Sequence, residues 1–260
     1  MQSLGMINAS LKNHTVLITG GGSGIGFSTA ELFAKMNANV VINYLSDDKD
    51  SKKRVFDLKK KYANVTEMLG DVSIKNVSKD IVKEIKKKFN GLNFLINNVG
   101  IGLVKDPISF QDLDKLNDKF WNKIMTVNLM SAFYCSKASS DLLKLKKGAI
   151  VNVTSISSNG KRGTSIPYAV SKGALNTLTS SLAKSFAPDV RVNGVSPGFT
   201  KTSMTDQRSK DHKSKMASQT LLKRIAQPEE IAEVIFFLCV SGNYITGEII
   251  NVNGGLGYDY

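Results

Sequence analysis

Short apolar segments alternate with longer segments of helical pattern along most of the chain. In the longer segments apolar residues recur every three or four positions, as in 76–89, and this spacing predicts helices. The short segments are apolar throughout, which is typical of strands buried on both faces. The alternation predicts a doubly wound, Rossmann-like α/β fold, with helices on both faces of a seven-stranded parallel sheet. Its strands are expected at 15–19, 40–44, 65–69, 92–96, 149–153, 190–195 and about 248–252.

The chain is predicted to form a single domain over residues 1–260. It contains no linker rich in Gly, Pro or Ser, no low-complexity tract and no internal repeat. One segment, 200–227, interrupts the alternation because it is polar and basic and has no strand pattern. Such a segment is typical of a lid over a substrate cleft, which we expect here, and also of an idle surface insertion.

The composition is that of a soluble globular protein, and no apolar run approaches the roughly 20 residues that a membrane helix needs. Residues 1–15 are polar and lack the apolar stretch of a secretory leader. Cys135 and Cys239 lie in apolar, helix-like segments and are expected to be buried, reduced thiols. We therefore expect a cytoplasmic protein that does not contact a membrane.

The net charge of +13 comes mostly from lysine. The lysines are scattered over many segments and are not interleaved with aromatic residues, which argues against a nucleic-acid surface. A solvated, lysine-rich surface and an acidic substrate or carrier both stay open as explanations. His14 and His212 are the only histidines, and no cluster of His and Cys is present, so no metal site is predicted.

A glycine-rich segment, Thr19-Gly-Gly-Gly-Ser-Gly-Ile-Gly26, ends the first predicted strand and begins a helix. Bare backbone is needed where pyrophosphate approaches the amides, and a helix N-terminus supplies free N–H groups and partial positive charge. The spacing departs from GxGxxG, and a simple tight turn is the alternative. The strand before it and the helix after it favour dinucleotide binding.

The spacing Thr-Gly-x-x-x-Gly-x-Gly resembles the cofactor motif of the short-chain dehydrogenase/reductase family. Further matches follow in order, and the resemblance covers about 12–255. Asn97-Asn-Val-Gly100 resembles the family's Asn-Asn-Ala-Gly, with valine in place of alanine, and Pro197-Gly-Phe-Thr-Lys-Thr202 resembles the segment that covers the nicotinamide. The pair Asp71-Val72 resembles the family's adenine contact, although Asp71 is also suited to a turn or a helix cap.

The resemblance implies a nicotinamide cofactor, NADP(H) or NAD(H). Its contacts are expected from Gly20, Ser23, Gly24, Ile25, Gly26, Tyr44, Asp71, Val72, Asn98, Gly100, Tyr168, Lys172, Pro197, Gly198, Thr200 and Thr202.

The candidate catalytic residues are Ser155, Tyr168 and Lys172, joined through the resemblance by Asn128. Tyr168 and Lys172 are four positions apart in a predicted helix, so both side chains can face one cleft. A free tyrosine is a poor base near neutral pH, but a nearby ammonium favours the phenolate and lowers the pKa. The resemblance implies that Tyr168 is the acid/base, that Ser155 orients the substrate oxygen, that Lys172 holds the ribose and that Asn128 holds a relay water.

The end of the second strand bears on the choice of cofactor. An acidic residue there binds both ribose hydroxyls and repels a 2′-phosphate. This chain has Tyr44 instead, which favours NADP(H), although Ser23 is not the basic residue of many NADP-using relatives, and Asp47 and Asp48 lie nearby. Without a cation in either expected place, we expect Asn43, Ser46 and backbone amides to hold a 2′-phosphate, with weak salt dependence.

The overall pattern is most similar to the 3-oxoacyl-(acyl-carrier-protein) reductase-like branch of the family. This implies reduction of a β-keto thioester, with the substrate possible on an acidic carrier protein that the basic residues Lys161, Arg162, Lys201 and Arg208 would meet. The alternative is a dehydrogenase of a sugar, polyol, steroid or other secondary alcohol. A binding protein without turnover is disfavoured, because Tyr168 and Lys172 are both present. The resemblance also implies a homotetramer or a homodimer.

Overall fold

The computed structural model describes residues 10–102, 104, 107–160 and 163–257. Within them, one seven-stranded sheet has the order β3-β2-β1-β4-β5-β6-β7, and every neighbouring pair is parallel. Its strands are β1 (Thr15–Thr19), β2 (Asn39–Tyr44), β3 (Val65–Leu69), β4 (Phe94–Asn97), β5 (Ala149–Val153), β6 (Arg191–Pro197) and β7 (Ile249–Val252). The order reverses between β1 and β4, where open α/β sheets bind their ligands.

Helices cover both faces of this sheet, so the predicted single Rossmann-like fold is confirmed. Those in the described residues are α1 (Gly24–Lys35), α2 (Lys49–Lys61), α3 (Lys75–Phe89), α4 (Asp118–Met125), α5 (Ser131–Leu145), α6 (Ile166–Phe186), α7 (Ser203–Asp206), α8 (Lys210–Ser218) and α9 (Pro228–Val240). One core layer packs α1, α2 and α9 on the sheet, around Phe33, Val55 and Ile235. The other packs α3, α5 and α6, around Ile85 and Leu143.

Polar caps fix where two helices near the site begin. The Asp48 carboxylate accepts from the backbone N–H of Ser51 at 2.9 Å and caps α2. The Ser165 hydroxyl accepts from the N–H of Tyr168 at 3.3 Å and caps α6. Each cap satisfies an N–H that lacks a partner within its helix. The second cap places Tyr168 in the first turn of α6.

Arg191, at the start of β6, fastens the C-terminal end of α9. Its Nη1 donates to the carbonyls of Leu238 and Gly242 at 2.6 and 2.8 Å, and its Nη2 donates to that of Cys239 at 2.8 Å. The last carbonyls of a helix have no partners inside it, so a half-buried guanidinium satisfies them well. Cys239 and Cys135 are buried, free thiols, as predicted.

Segment 200–227 contains α7 and α8, and a single β-bridge joins Thr200 to Ala226 near its two ends. It is therefore a helical excursion that leaves and rejoins the body of the fold at one place. Within the described ranges, no helix is both long and apolar enough to cross a membrane.

Candidate active site

The loop between β1 and α1 turns sharply at two glycines. Gly20 and Gly24 have φ values of +61° and +50°, which residues with side chains rarely adopt. α1 begins at Gly24, and the side chain of Ser23 makes no capping hydrogen bond to it. The first N–H groups of α1 are therefore available to an anion, and the loop fits the pyrophosphate of a dinucleotide.

Asn98 fastens this glycine loop to the end of β4. Its Nδ2 donates to the carbonyls of Thr19 and Gly20 at 3.2 and 3.0 Å, and its backbone N–H donates to Thr19 Oγ1 at 3.1 Å. A Cβ on Gly26 would lie 2.4 Å from the Gly20 oxygen and 2.5 Å from Asn98 Nδ2, so there is no room for a side chain. Asn98, predicted as a cofactor contact, holds the shape of the loop.

The segment after β6 lies against the glycine loop. A Cβ on Gly24 would be only 3.0 Å from Thr202 Cγ2. Thr200 is buried, and its hydroxyl donates to the Gly198 carbonyl at 3.1 Å. Gly198 passes so close to Asn253 that a Cβ would lie 2.8 Å from the Cα of that residue. Two segments that sequence analysis assigned to one cofactor are therefore neighbours.

Asp71 lies in the turn between β3 and α3. Its Oδ1 accepts from the backbone N–H of Ser73 at 2.9 Å, and its carbonyl accepts from that of Ile74 at 3.0 Å. Val72, beside it, is buried. The turn role that the sequence allowed is present, while the adenine contact stays a prediction.

Ser155, Tyr168 and Lys172 come together at the carboxyl end of β5. Ser155 follows the strand and shares a hydrogen bond with the Tyr168 phenol. Lys172 is buried, and its Nζ donates to the carbonyl of Val153, the last residue of β5, at 2.8 Å. The loop after β4 reaches the same point, since a Cβ on Gly100 would lie 3.1 Å from Nζ.

A second serine, which sequence analysis did not assign, holds Ser155. The backbone N–H of Ser157 donates to Ser155 Oγ at 3.2 Å, and Ser155 Oγ in turn donates to Ser157 Oγ at 3.2 Å. Ser155 is also the N-cap of the short 3-10 helix Ile156–Asn159. The Ser155 hydroxyl is thus fixed beside the phenol.

Burial sets the proton affinities of the two groups on α6. It raises the pKa of Tyr168, and the hydrogen bond with Ser155 offsets part of that rise. It lowers the pKa of Lys172 from 10.5 to about 8. The sequence predicted that the lysine would lower the pKa of the phenol, but here burial outweighs any such effect. A phenol that keeps its proton is suited to act as a proton donor.

Asn128 lies in one π-helical turn, Thr126–Met130, between α4 and α5. Its Oδ1 accepts from the N–H of Ile101 at 2.8 Å, and its Nδ2 donates to the Ile101 carbonyl and to Ser171 Oγ, both at 3.0 Å. Such π turns are frequent at functional sites. Asn128 therefore joins the loop after β4 to α6, next to Lys172, and its role as holder of a relay water stays a prediction.

The comparisons with known proteins agree with this site. A family model described as enoyl-(acyl carrier protein) reductase matches residues 20–257 of the chain. This chain belongs to the short-chain dehydrogenase/reductase family. A tropinone reductase homolog of Arabidopsis thaliana is 34% identical, and the alignment covers 96% of each protein. The 3-oxoacyl-(acyl-carrier-protein) reductase FabG of Staphylococcus epidermidis is 32% identical over 94% of this chain and 99% of its own length.

A solved structure confirms the fold. The crystal structure of a short-chain dehydrogenase/reductase from Brucella melitensis, described as a glucose/ribitol dehydrogenase, matches with a TM-score of 0.87 and 32% identity, over 96% of this chain and 99% of that one. The chain is thus an oxidoreductase of a family that uses NAD or NADP, as predicted. Because the relatives' names include both reductases and dehydrogenases, they leave the substrate open.

The end of β2 differs from the sequence-based interpretation. Both N–H groups of the Asn43 amide are used, on the carbonyls of Met68 and Gly70 at 3.1 and 3.0 Å. The side chain therefore has no donor left for a 2′-phosphate, and that assignment was wrong. The hydroxyl of Tyr44 donates to Glu67 on β3, so a cofactor contact of Tyr44 stays a prediction for its backbone and ring.

The acidic residues after β2 are also accounted for. Both oxygens of the Asp48 carboxylate accept from Ser51, Oδ1 from the backbone N–H and Oδ2 from the hydroxyl, at 2.9 and 2.6 Å. This carboxylate is an N-cap of α2 and is not placed to bind ribose hydroxyls. Sequence analysis missed Arg54, one turn further along α2, whose Nε donates to the carbonyl of Gly22 in the glycine loop at 2.8 Å.

The four basic residues expected near the cleft separate into three groups. Lys161 and Arg162 lie outside the described residues, and Lys201 is exposed. Arg208 is buried, so it is not a surface contact for a carrier. In the described parts of the chain, no group of His, Cys, Asp and Glu is arranged to hold a metal.

Proposed function

We propose that this enzyme reduces the carbonyl of a 3-oxoacyl thioester to a secondary alcohol with NADPH. The observation that carries the chemistry is the buried group of Ser155, Tyr168 and Lys172 beside Gly100 at the carboxyl edge of the sheet. The similarity to the Staphylococcus 3-oxoacyl reductase over nearly the whole chain supports the substrate class.

The residues of this chain divide the work as follows. Ser155, fixed by Ser157, donates a hydrogen bond to the substrate oxygen and orients it. Tyr168 gives its proton to that oxygen as the carbonyl carbon receives hydride, so C=O becomes CH–OH. The pKa of Tyr168, raised by burial, keeps the phenol protonated and ready for this step. Lys172 donates to the ribose hydroxyls and replaces the proton on the phenol through a water at Asn128.

The cofactor supplies the hydride, and the chain supplies its seat. The glycine loop and the N-terminus of α1 receive the pyrophosphate, where Gly20, Gly24 and Gly26 leave backbone that no side chain covers. Thr202 reaches the same pyrophosphate from the segment after β6, and Thr200 meets the carboxamide with its backbone. The other expected cofactor contacts keep the roles inferred from the family resemblance.

Segment 200–227 acts in this proposal as the lid over the substrate. Its two ends meet at the Thr200–Ala226 bridge, so α7 and α8 can move together about one attachment. A carrier protein would approach this side of the enzyme, where Lys201 is exposed. Assembly as a homotetramer or homodimer, and a cytoplasmic location, are part of the same proposal.

A second candidate is a dehydrogenase of a sugar, polyol, steroid or other secondary alcohol. The Brucella enzyme described as a glucose/ribitol dehydrogenase favours it, at the same identity as the 3-oxoacyl reductase. The same hydroxyl, phenol and ammonium serve both, in opposite directions. An enoyl thioester is a third substrate to compare, because the matching family model is described as an enoyl reductase.

The test measures NADPH oxidation with a short 3-oxoacyl thioester, with the corresponding enoyl thioester and NADH in parallel. We expect turnover with NADPH and the 3-oxo substrate, abolished in Tyr168→Phe and kept in the control Tyr134→Phe. Tyr134 lies in a surface groove between α3 and α5, lined also by Phe133 and Lys137. Turnover confined to the enoyl thioester, or only oxidation of sugars and polyols, would refute the substrate assignment. Full activity in Tyr168→Phe would refute the mechanism.

A further inference from the structure

The first turns of α2 pack directly on the glycine loop. A Cβ on Gly22 would lie 2.4 Å from both Cβ and Oγ of Ser51, so residue 22 has no space for a side chain. Asp48 caps the helix through Ser51 and keeps this turn in place. Whatever binds the phosphate side of the adenosine ribose must therefore reach it from α2, because the loop itself carries only glycines and Ser23 here.

Arg54 is the group that reaches it. Its Nε donates to the Gly22 carbonyl at 2.8 Å and its Nη2 donates to Ser51 Oγ at 3.3 Å, so the guanidinium is anchored at two points. The side chain is half-buried, and Nη1 makes no hydrogen bond with any of the described residues. No described carboxylate lies within 4.0 Å of this guanidinium. It thus offers free N–H groups and an uncompensated charge at the edge of the loop.

The acid nearest to Arg54 is already occupied. The pKa of Asp48 lies below its usual value although burial raises it, because the hydrogen bonds from Ser51 and the charge of Arg54 outweigh burial. Both oxygens of Asp48 accept from Ser51. This carboxylate therefore does not compete as a close partner, and the fork of Arg54 keeps its capacity for an anion.

We propose that Arg54 binds the 2′-phosphate of NADP(H) and gives this enzyme its cofactor preference. This inference rests on the proposed NADPH-dependent activity. In a dinucleotide fold the 2′ position lies between the end of β2 and the glycine loop, where an arginine accommodates a phosphate. A planar guanidinium matches a phosphate with two parallel hydrogen bonds, which an ammonium does not provide. Arg54 takes the part that sequence analysis gave to Asn43.

A consequence follows for salt. A phosphate held by amides alone would bind with little dependence on ionic strength, as the sequence suggested. A partly exposed guanidinium opposite a phosphate dianion makes affinity fall clearly as salt rises. NADH carries no 2′-phosphate, so its affinity should change much less over the same range.

The test is direct fluorescence titration of NADPH and NADH, at low and at high salt. The wild type is compared with Arg54→Gln, Arg54→Lys and the control Lys53→Gln, which removes an exposed cation from the neighbouring position on α2. We expect the Kd of NADPH to rise about ten- to a hundredfold in Arg54→Gln, with NADH nearly unchanged and the salt dependence of NADPH flattened. Arg54→Lys should lose less, and Lys53→Gln should resemble the wild type.

Three results would overturn the inference, and binding rather than turnover keeps them independent of the substrate. If the wild type prefers NADPH and Arg54→Gln keeps that preference, Arg54 does not bind the phosphate, while the proposed activity stands. If Arg54→Gln weakens NADPH and NADH equally, the residue only shapes the glycine loop, and Arg54→Lys would show the same equal loss. If the wild type binds both cofactors equally, the inference and the NADPH part of the proposed function both fail.

Discussion

Lys172 offers a quantitative test of how the active site affects stability. Burial lowers its pKa from 10.5 to about 8. At a neutral pH both the folded and the unfolded chain carry the proton, and the folded state bears the cost of a buried charge. One pKa unit corresponds to about 1.36 kcal/mol, so this cost is about 3 kcal/mol. It disappears as the pH rises from 8 towards 10.5, because the folded protein releases the proton first.

Lys172→Met removes this dependence. The free energy of unfolding of the wild type should therefore rise relative to that of Lys172→Met by roughly 2 to 3 kcal/mol between about pH 7 and about pH 10. The sign is that of a group with a depressed pKa in the folded state: its stability is full above the unfolded pKa and is lost as pH falls. Urea unfolding followed by circular dichroism at several pH values measures the difference.

The control is Lys184→Met, which removes an exposed lysine from the same helix, α6. Its difference from the wild type should stay nearly constant over the pH range. Comparison with variants cancels the general effect of alkaline pH on the fold. If the curves of wild type and Lys172→Met run parallel, burial does not shift the lysine as argued, and the account of its role in proton replacement loses its basis.

Three further predictions concern packing and positioning. Gly22→Ala should destabilise the fold by about 1–3 kcal/mol in urea unfolding, and adding Ser51→Gly should restore part of it; no recovery would mean that crowding is not the cause. Arg191→Met should cost about 2–4 kcal/mol, because the carbonyls that end α9 lose their partner, with Arg191→Lys intermediate. Ser157→Ala should lower kcat about tenfold without changing the Kd of NADPH, since it only orients Ser155; an equal loss in both would contradict that role.

The sequence predicted the sheet well because strands buried on both faces leave a continuous apolar run. β1 and β5 have the predicted bounds, Thr15–Thr19 and Ala149–Val153. The pairing of Tyr168 with Lys172 was also predictable, since a four-residue spacing fixes relative direction on a helix. The family motifs then indicated which strand ends would meet, and the contact of Thr202 with the glycine loop agrees with that expectation.

What the sequence could not supply depends on packing angles between elements. Arg54 lies well beyond the end of β2, and only the docking of α2 on the loop brings it to Gly22. The only available indication was its place on α2, three residues after the buried Ser51 and one before the buried Val55. Asn43 looked free because no pattern shows that β3 would use its amide.

A buried polar network links the sheet to the helix that carries the acid/base pair. Asn97 Nδ2 donates to Asn152 Oδ1 at 2.8 Å and to Ser136 Oγ at 3.1 Å, and Asn152 Nδ2 donates to Thr179 Oγ1 on α6 at 2.8 Å. A buried amide without partners is costly, so a helix rotated or shifted along its axis would lose these bonds. The network therefore fixes the register of α6 on β4 and β5. That register is what brings the ammonium of Lys172 to the Val153 carbonyl, and the phenol one turn earlier to Ser155.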